Sequence, residues 1–174
     1  MESAIDSGDT AWVLISTALV MIMTPALGFF YGGMVRRKNI LSTLNLSVII
    51  LGLISIQWIL IGYTLAFGSS LGGLVGSLNY IGLAGVGPEP NEAYAATIPH
   101  LGFAAYQMMF AVITPALITG AFVERVRFKT FLIFSLLWAT LVYDTFVHWV
   151  WGVGGILRTR GALDFAGGTV VNIR

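Results

Sequence analysis

The 174-residue chain contains no cysteine, and only 10% of its residues are charged. The absence of thiols excludes disulfide frameworks and thiolate metal sites. A soluble domain carries about 25% charged residues, which cover much of its surface. Because 57% of this chain is hydrophobic, a fold in water would expose large apolar areas, so lipid is the expected solvent. The net charge of +1 gives no indication of a nucleic-acid partner.

Long apolar stretches organise the chain. A bilayer core takes about 20 helical residues to cross, and helices satisfy their own backbone hydrogen bonds in lipid. Stretches of sufficient length lie at 12–35, 40–67, 100–123 and 128–151. A shorter apolar stretch covers 162–174. The sequence therefore predicts an all-α integral membrane fold, in which residues 1–174 form four transmembrane helices and the start of a fifth.

Local backbone signals refine this outline. Residues 68–99 are rich in glycine and contain prolines, so they are predicted to form an external, partly buried loop. Thr10 or Asp9 is the expected N-cap of the first helix. Gly28 and Gly32 have the spacing of a close helix-packing pair, although glycines at this spacing also occur in membrane helices without that role.

Basic residues indicate how the helices are oriented. They are concentrated in the loops after the first and third helices, at Arg36, Arg37, Lys38, Arg125, Arg127 and Lys129. The N-terminal segment and the 68–99 loop contain acids but no Lys or Arg. The positive-inside rule then places the N-terminus outside the cell membrane and both basic loops in the cytoplasm. Arg158 and Arg160 follow the fourth helix on the outer side and are exceptions to this pattern.

Two ionisable residues lie within the fourth apolar stretch. Asp144 and His148 are four residues apart, so they share one helix face and can pair. They either anchor the helix near the outer interface or take part in transport, since a buried acid is costly and often functional. No cluster of three or four metal ligands is present. No nucleophile or acid pair converges either, so the sequence predicts neither an enzyme nor a cofactor.

Aromatic residues collect toward the outer side. Tyr106 and Phe110 are four apart on one face of the third helix, and Trp149 and Trp151 end the fourth helix. Tryptophans at such positions usually anchor a helix at the membrane interface. Aromatic rings at the mouth of a pathway also attract cations through their quadrupole. Spacing alone leaves both roles open.

Four motifs carry a resemblance to a known family. They are GFFYGGMVRRKN at 28–39, ITPALITGAFVERVRF at 113–128, HWVWGVGG at 148–155 and GALDFAGGTVV at 161–171. In this order they resemble the first, third, fourth and fifth helices of the ammonium transporter (Amt/Mep/Rh) family. The resemblance covers nearly the whole chain. It implies the first half of an inverted-repeat fold of eleven helices.

The resemblance also assigns site residues. Trp151 matches the tryptophan of an outer vestibule that recruits ammonium, and Tyr106 lies where a neighbouring aromatic is usual. Phe110 matches the first of two stacked phenylalanines that gate the pore below. Asp164 matches the acid at the start of the fifth helix, where it holds the backbone and favours a nearby cation. A carboxylate at a helix N-terminus is also simply a good cap.

A mechanism and partners follow from the resemblance. Ammonium, or methylammonium, loses its proton after recruitment, and neutral ammonia crosses a narrow apolar pore that excludes potassium. Stripping the water from a potassium ion costs far more than ring contacts return. The family assembles as homotrimers in the lipid bilayer, and its cytoplasmic face is where a regulatory protein would bind.

The last residues depart from the family pattern. The first of two pore histidines is expected eight residues after the helix-five acid, where this chain has Asn172. An amide cannot take up a proton near neutral pH as imidazole does. Arg174 would place a charge near the bilayer midplane. We therefore expect a truncated transporter that does not conduct alone; the alternative is a membrane scaffold or assembly partner without transport.

Overall fold

The computed structural model describes residues 5–173 and is dominated by apolar helices. Four of them are long and apolar enough to cross a membrane, and they cover Ser7–Met34, Arg37–Phe67, His100–Phe122 and Phe128–Trp151. These four helices agree closely with the apolar segments of the sequence. In each of them the backbone hydrogen bonds are formed within the helix, as lipid requires. The predicted all-α membrane fold is confirmed.

Two of the four spans are divided by a wider turn of π-helix. The elements before the 68–99 segment are α1 (Ser7–Met34), a 3-10 turn (Arg37–Asn39), α2 (Ile40–Gln57), a π turn (Trp58–Gly62) and α3 (Tyr63–Phe67). Those after it are α4 (His100–Phe122), α5 (Phe128–Trp138), a second π turn (Ala139–Tyr143) and α6 (Asp144–Trp151). Each π turn is continuous with its flanking helices, so the span itself is not interrupted.

The 68–99 segment folds into two small antiparallel hairpins. Strand β1 (Ser70–Leu71) pairs with β2 (Val75–Gly76), and β3 (Pro90–Asn91) pairs with β4 (Ala95–Pro99). A 3-10 segment, Leu78–Leu83, lies between the hairpins. Residues 68–99 and 152–167 lie at one end of the helix bundle, which we call the hairpin end. The loops at 35–39 and 123–127 form the opposite, basic end.

The first helix begins earlier than the sequence predicts. α1 starts at Ser7 rather than near Trp12, and its N-cap is Asp6, not Asp9 or Thr10. The Asp6 carboxylate accepts a 2.8 Å hydrogen bond from the Asp9 backbone N–H, and the Thr10 hydroxyl donates to the Asp6 carbonyl. An N-cap is set by which side chain reaches a free N–H two or three residues later. Several good capping side chains are close together here, so composition does not distinguish them.

The fifth helical segment begins later than the sequence predicts. Residues 162–167 are not helical, and the segment that follows is a π-helix over Gly168–Ile173. Gly167 has a φ of +76°, a left-handed conformation that interrupts a helix and favours glycine. The helix therefore begins after Gly167 rather than near Ala162, which leaves Asp164 in the preceding turn. Arg174 lies outside the described residues.

The close approach of α1 and α2 depends on Gly28. Thr24, Gly28 and Gly32 form the buried stripe of α1. A side-chain carbon at Gly28 would lie 3.1 Å from Cβ of Ser47, whereas one at Gly32 would lie 3.6 Å from Ile40. The glycine spacing noted in the sequence thus corresponds to a real helix contact, which is tightest at Gly28.

This contact predicts a position-specific loss of stability. Gly28→Leu should lower the free energy of unfolding by about 1–3 kcal/mol, because the added side chain overpacks the α1–α2 contact. Gly33→Leu is the matched control, since no atom lies within 4 Å of a carbon placed at Gly33. Thermal unfolding of both variants in detergent measures the difference. Equal unfolding temperatures would contradict the proposed packing role.

The buried pair Asp144 and His148 is engaged with neighbouring elements. Both side chains are fully buried. Gln57 donates a 2.6 Å hydrogen bond to Oδ2 of Asp144. His148 Nδ1 donates to the Ala66 carbonyl at 3.0 Å, and its Nε2 lies 2.9 Å from the Ser70 hydroxyl. With both ring nitrogens occupied, His148 connects α6 to α3 and the first hairpin. These contacts support the anchoring interpretation.

Candidate functional site

A cavity of about 800 Å³ opens at the hairpin end of the bundle. Tyr106 and Phe110 of α4 line one side, Trp151 at the end of α6 lines another, and Asp164 belongs to the stretch that closes it. We call this space the aromatic cavity. The structure thus brings together four predicted site residues, of which Tyr106 and Asp164 lie 58 positions apart in the sequence.

Tyr106 and Phe110 form an edge-to-face pair. Their ring centroids are 5.0 Å apart and their planes are inclined by 81°. One turn later the Thr114 hydroxyl donates a 2.6 Å hydrogen bond to the Phe110 carbonyl, just before Pro115 removes a backbone donor from the helix. A threonine bonded back in this way tends to bend a helix. The backbone that carries Phe110 is therefore shaped by the Thr114–Pro115 step.

Trp151 and Asp164 are joined through the backbone of the closing stretch. The Trp151 indole Nε1–H donates to the Asp164 carbonyl at 3.1 Å. The Asp164 carboxylate in turn accepts a 3.0 Å hydrogen bond from the Val170 N–H. A carbon placed at Gly167 would lie 3.5 Å from the Trp151 ring. Asp164 therefore holds the local backbone, while its carboxylate stays within the cavity wall.

Three further aromatics line the cavity, and sequence reasoning did not identify them. Phe67, Tyr94 and Phe103 pack together, with Tyr94 and Phe103 stacked at 5.6 Å and Phe67 edge-on to both. The Tyr94 hydroxyl accepts from the Val153 N–H at 2.9 Å and donates to the Phe67 carbonyl at 3.3 Å. Burial raises the pKa of Tyr94, against the lowering effects of the Val153 hydrogen bond and the Arg158 charge.

A signal for one of these aromatics was present in the sequence. Phe103 lies three residues before Tyr106 and seven before Phe110, so all three share one face of α4. Gln107 belongs to the same face and also lines the cavity. Its amide oxygen is buried and has no hydrogen-bond partner among the described residues. It therefore adds a neutral acceptor to a wall made mostly of rings.

The predicted relay position lies outside this cavity. Asn172 belongs to the π-helical segment Gly168–Ile173 and is exposed, while Val170 in the same segment is buried. Asn172 is not among the residues that line the aromatic cavity. Within residues 5–173 no group of three or more His, Asp or Glu side chains is placed to hold a metal ion.

The basic end contains a separate, smaller cavity of about 420 Å³ between the two basic loops. Glu124 lines it and has a φ of +65°. Its carboxylate accepts from the Asn39 side chain at 2.6 Å and from the Arg36 N–H at 3.2 Å, and the Arg36 Nε lies 3.6 Å away. The Asn39 hydrogen bond, followed by that from Arg36, lowers the pKa of Glu124. These contacts hold the two basic loops together.

The chemistry of the aromatic cavity favours binding of a small cation. Ring faces attract cations, and the amide oxygen of Gln107 and the carboxylate of Asp164 are acceptors for N–H donors. Among the described residues that line the cavity there is no paired nucleophile and base, the arrangement that covalent catalysis requires. Recruitment of a cation that carries N–H groups fits the rings and the two acceptors, whereas the Arg158 guanidinium in the same wall opposes it.

Comparison with known proteins places these features in context. The sequence model of the Ammonium Transporter Family matches residues 11–174. The chain is 53% identical over 166 residues to the ammonium transporter of Bacillus subtilis (strain 168). This match covers 95% of the chain and 40% of that protein. The chain is 49% identical over 166 residues to ammonium transporter Amt1 of Archaeoglobus fulgidus, with the same coverage.

The fold comparison agrees. The crystal structure of Candida albicans Mep2 superposes with a TM-score of 0.87 at 36% identity, over 96% of this chain and 36% of that one. The chain thus spans about 40% of the length of the curated relatives that it matches. The resemblance inferred from the four motifs is confirmed.

Proposed function

The chain belongs to the ammonium transporter family, and from this premise we propose that its aromatic cavity recruits ammonium for transport across the cell membrane. The observation that supports this most strongly is the convergence of Tyr106, Phe110, Trp151 and Asp164 on one cavity. An aromatic cavity with few acceptors suits an ion that is both a cation and a hydrogen-bond donor. Methylammonium shares both properties and serves as the measurable substrate.

The pathway beyond the cavity explains the choice of ion. Phe110 lies deeper along α4 than Tyr106, so we assign it as the gate below the recruitment site. Complete dehydration of any small cation costs more than ring contacts return. Ammonium can lose its proton and proceed as neutral ammonia, whereas potassium cannot. An apolar pore beyond Phe110 therefore rejects potassium without a dedicated size filter.

The remainder of the transport pathway requires segments other than residues 1–174. Because the relatives are more than twice as long as the matched region, we propose that their further segments complete the pore. In this view the chain is a multi-pass membrane protein with its N-terminus and hairpin end outside, and it does not conduct alone. The complete transporter forms a homotrimer, and its cytoplasmic basic end receives a regulatory protein. A membrane scaffold without transport is the alternative.

A hybrid transporter makes these proposals testable. In it, residues 1–171 of this chain continue into the segment that follows the matched region in the Bacillus subtilis relative. Trp151→Leu in the hybrid should raise the KM for methylammonium about ten-fold, because one cation–ring contact contributes about 0.5–2 kcal/mol. Uptake of labelled methylammonium into proteoliposomes measures this effect.

The control keeps the loss of a tryptophan but moves it away from the cavity. Trp12 is 73% exposed on α1 and does not line the aromatic cavity, so Trp12→Leu should leave the KM unchanged. If Trp151→Leu also leaves the KM unchanged while the hybrid transports, recruitment at the aromatic cavity is wrong. If the unmutated hybrid inserts and folds but shows no uptake, the scaffold alternative is favoured.

A further inference from the structure

A guanidinium group lies in the wall of the aromatic cavity. Arg158 follows α6 and lines the cavity together with Tyr94 and Trp151. Its Cζ lies 5.9 Å from the centroid of the Tyr94 ring, within the range of a cation–π contact. Its Nη1 donates a hydrogen bond to the Trp151 backbone carbonyl. The side chain is thus held against two of the aromatic residues in the wall.

Arg158 forms no ion pair within 4.0 Å among the described residues, although the Asp164 carboxylate lines the same cavity. Among the described residues the ion pair closer than 4.0 Å is that of Arg36 with Glu124, which lies at the basic end. Arg158 instead contacts a ring face and a carbonyl oxygen, both of which are neutral. Arg160, two residues later, is also exposed but does not line the cavity. Of these two neighbouring arginines, only Arg158 is among the residues that line the cavity.

We propose that Arg158 is a resident cation that lowers the affinity of the aromatic cavity for small cations and so sets the concentration at which the cavity fills. The effect on ammonium in particular rests on the proposed function. The guanidinium occupies the face of Tyr94 that an incoming cation would otherwise contact. It also repels a second positive charge across a partly aqueous space.

This assignment accounts for a departure from the sequence pattern. The positive-inside rule disfavours arginine at the hairpin end, and Arg158 is one of two exceptions there. Its contacts with the Tyr94 ring and the Trp151 carbonyl stabilise an arginine at this position. The repulsion acts over a few ångströms, so added salt weakens it less than it weakens long-range attraction, given a Debye length of about 10 Å at 0.1 M.

The local potential can be measured on the 174-residue chain itself. Because the chain contains no cysteine, Ala93→Cys introduces a single thiol beside Tyr94 in the cavity wall. Its rates of modification by a cationic and by an anionic methanethiosulfonate reagent are compared in detergent. The ratio of the two rates reports the electrostatic potential at the thiol and does not require transport.

Charge-removing and charge-keeping variants are then compared on this background. Arg158→Gln should shift the ratio three- to ten-fold toward the cationic reagent, since the two reagents respond in opposite directions to the loss of one nearby charge. Arg158→Lys should keep the parent ratio because it keeps the charge, although it loses the planar fork that a purely structural role needs. Arg160→Gln is the matched control and should leave the ratio unchanged.

Several results would overturn the proposal. These are an unchanged ratio in Arg158→Gln, an equal shift in Arg160→Gln, or a shift in Arg158→Lys as large as that in Arg158→Gln. The last result would show that Arg158 acts through wall geometry rather than charge. Circular dichroism and unfolding temperature establish that each variant is folded before its rates are interpreted.

A second measurement addresses the permeating ion. In the hybrid transporter, Arg158→Gln should lower the KM for methylammonium two- to five-fold with little change in maximal rate, whereas Arg160→Gln should not. An unchanged KM in a hybrid that transports would overturn the role of Arg158 in ammonium affinity while leaving the proposed function intact. A hybrid without uptake would instead count against the proposed function, and the thiol ratio would still decide the electrostatic part.

Discussion

Asp164→Ala in the hybrid transporter is expected to reduce methylammonium uptake at least 100-fold. The substitution removes the acceptor of the Val170 N–H and leaves that donor without its partner, at a cost of about 1–3 kcal/mol. It also removes the negative charge beside the aromatic cavity, where we propose that the cation is recruited. Loss of the hydrogen bond also destabilises the backbone around Asp164, whose carbonyl accepts from the Trp151 indole. Initial rates of labelled methylammonium uptake measure the combined effect.

Asp164→Asn separates the two roles that the sequence left open. The amide oxygen of asparagine can still accept from Val170, but the negative charge is gone. We expect uptake about ten-fold slower than the parent, between the parent and the alanine variant. A rate equal to the parent would assign Asp164 to backbone support alone. A rate equal to that of Asp164→Ala would assign the whole effect to charge.

The second large effect concerns the completeness of the pathway. The 174-residue chain reconstituted alone in liposomes should show no methylammonium uptake above protein-free liposomes, whereas the hybrid should exceed that background at least 100-fold. The physical reason is that, in the proposed arrangement, the pore lies between these residues and the further segments of the transporter, so these residues alone form one wall. Uptake by the chain alone, in amounts that depend on Trp151, would contradict this prediction.

Asn172 provides a finer test within the same experiment. A hybrid whose junction lies after Asn172 should take up methylammonium more slowly than the hybrid whose junction lies after Val171. The reason is that an amide cannot bind and release a proton near neutral pH. Asn172→His in the hybrid that includes Asn172 should restore the rate. Equal rates in all three would show that position 172 does not relay protons. Chloride efflux from the same vesicles serves as a control for leakiness.

The sequence predicted the membrane spans well because length and apolarity are sufficient to define them. It was less reliable at their ends, where one hydrogen bond decides the boundary. Asp6 caps α1 because its carboxylate reaches the Asp9 N–H, and this geometry depends on a turn that composition does not specify. Similarly, the left-handed conformation of Gly167 delays the start of the fifth segment, and a φ angle cannot be read from composition.

The candidate site was predicted in part for a comparable reason. Tyr106, Phe110, Trp151 and Asp164 were assigned through the family resemblance, and all four line one cavity. Tyr94 was missed because it belongs to a hairpin in the 68–99 segment, and its position over α4 depends on bonds to Val153 and Phe67. Arg158 was noted only as a charge exception. Contacts between segments far apart in sequence leave no periodic signal.

The π turn at Ala139–Tyr143 sets the rotational phase of the helix that carries Trp151. A π turn holds one more residue than an α turn, and each residue of an α-helix advances the direction of the side chain by about 100°. If the same five residues wound as a regular α-helix, every later side chain would be rotated by about that amount. Trp151 would then leave the aromatic cavity without any change in the residues around it. The direction of the Trp151 side chain is therefore fixed about two turns away, by a difference in helical winding rather than by its neighbours.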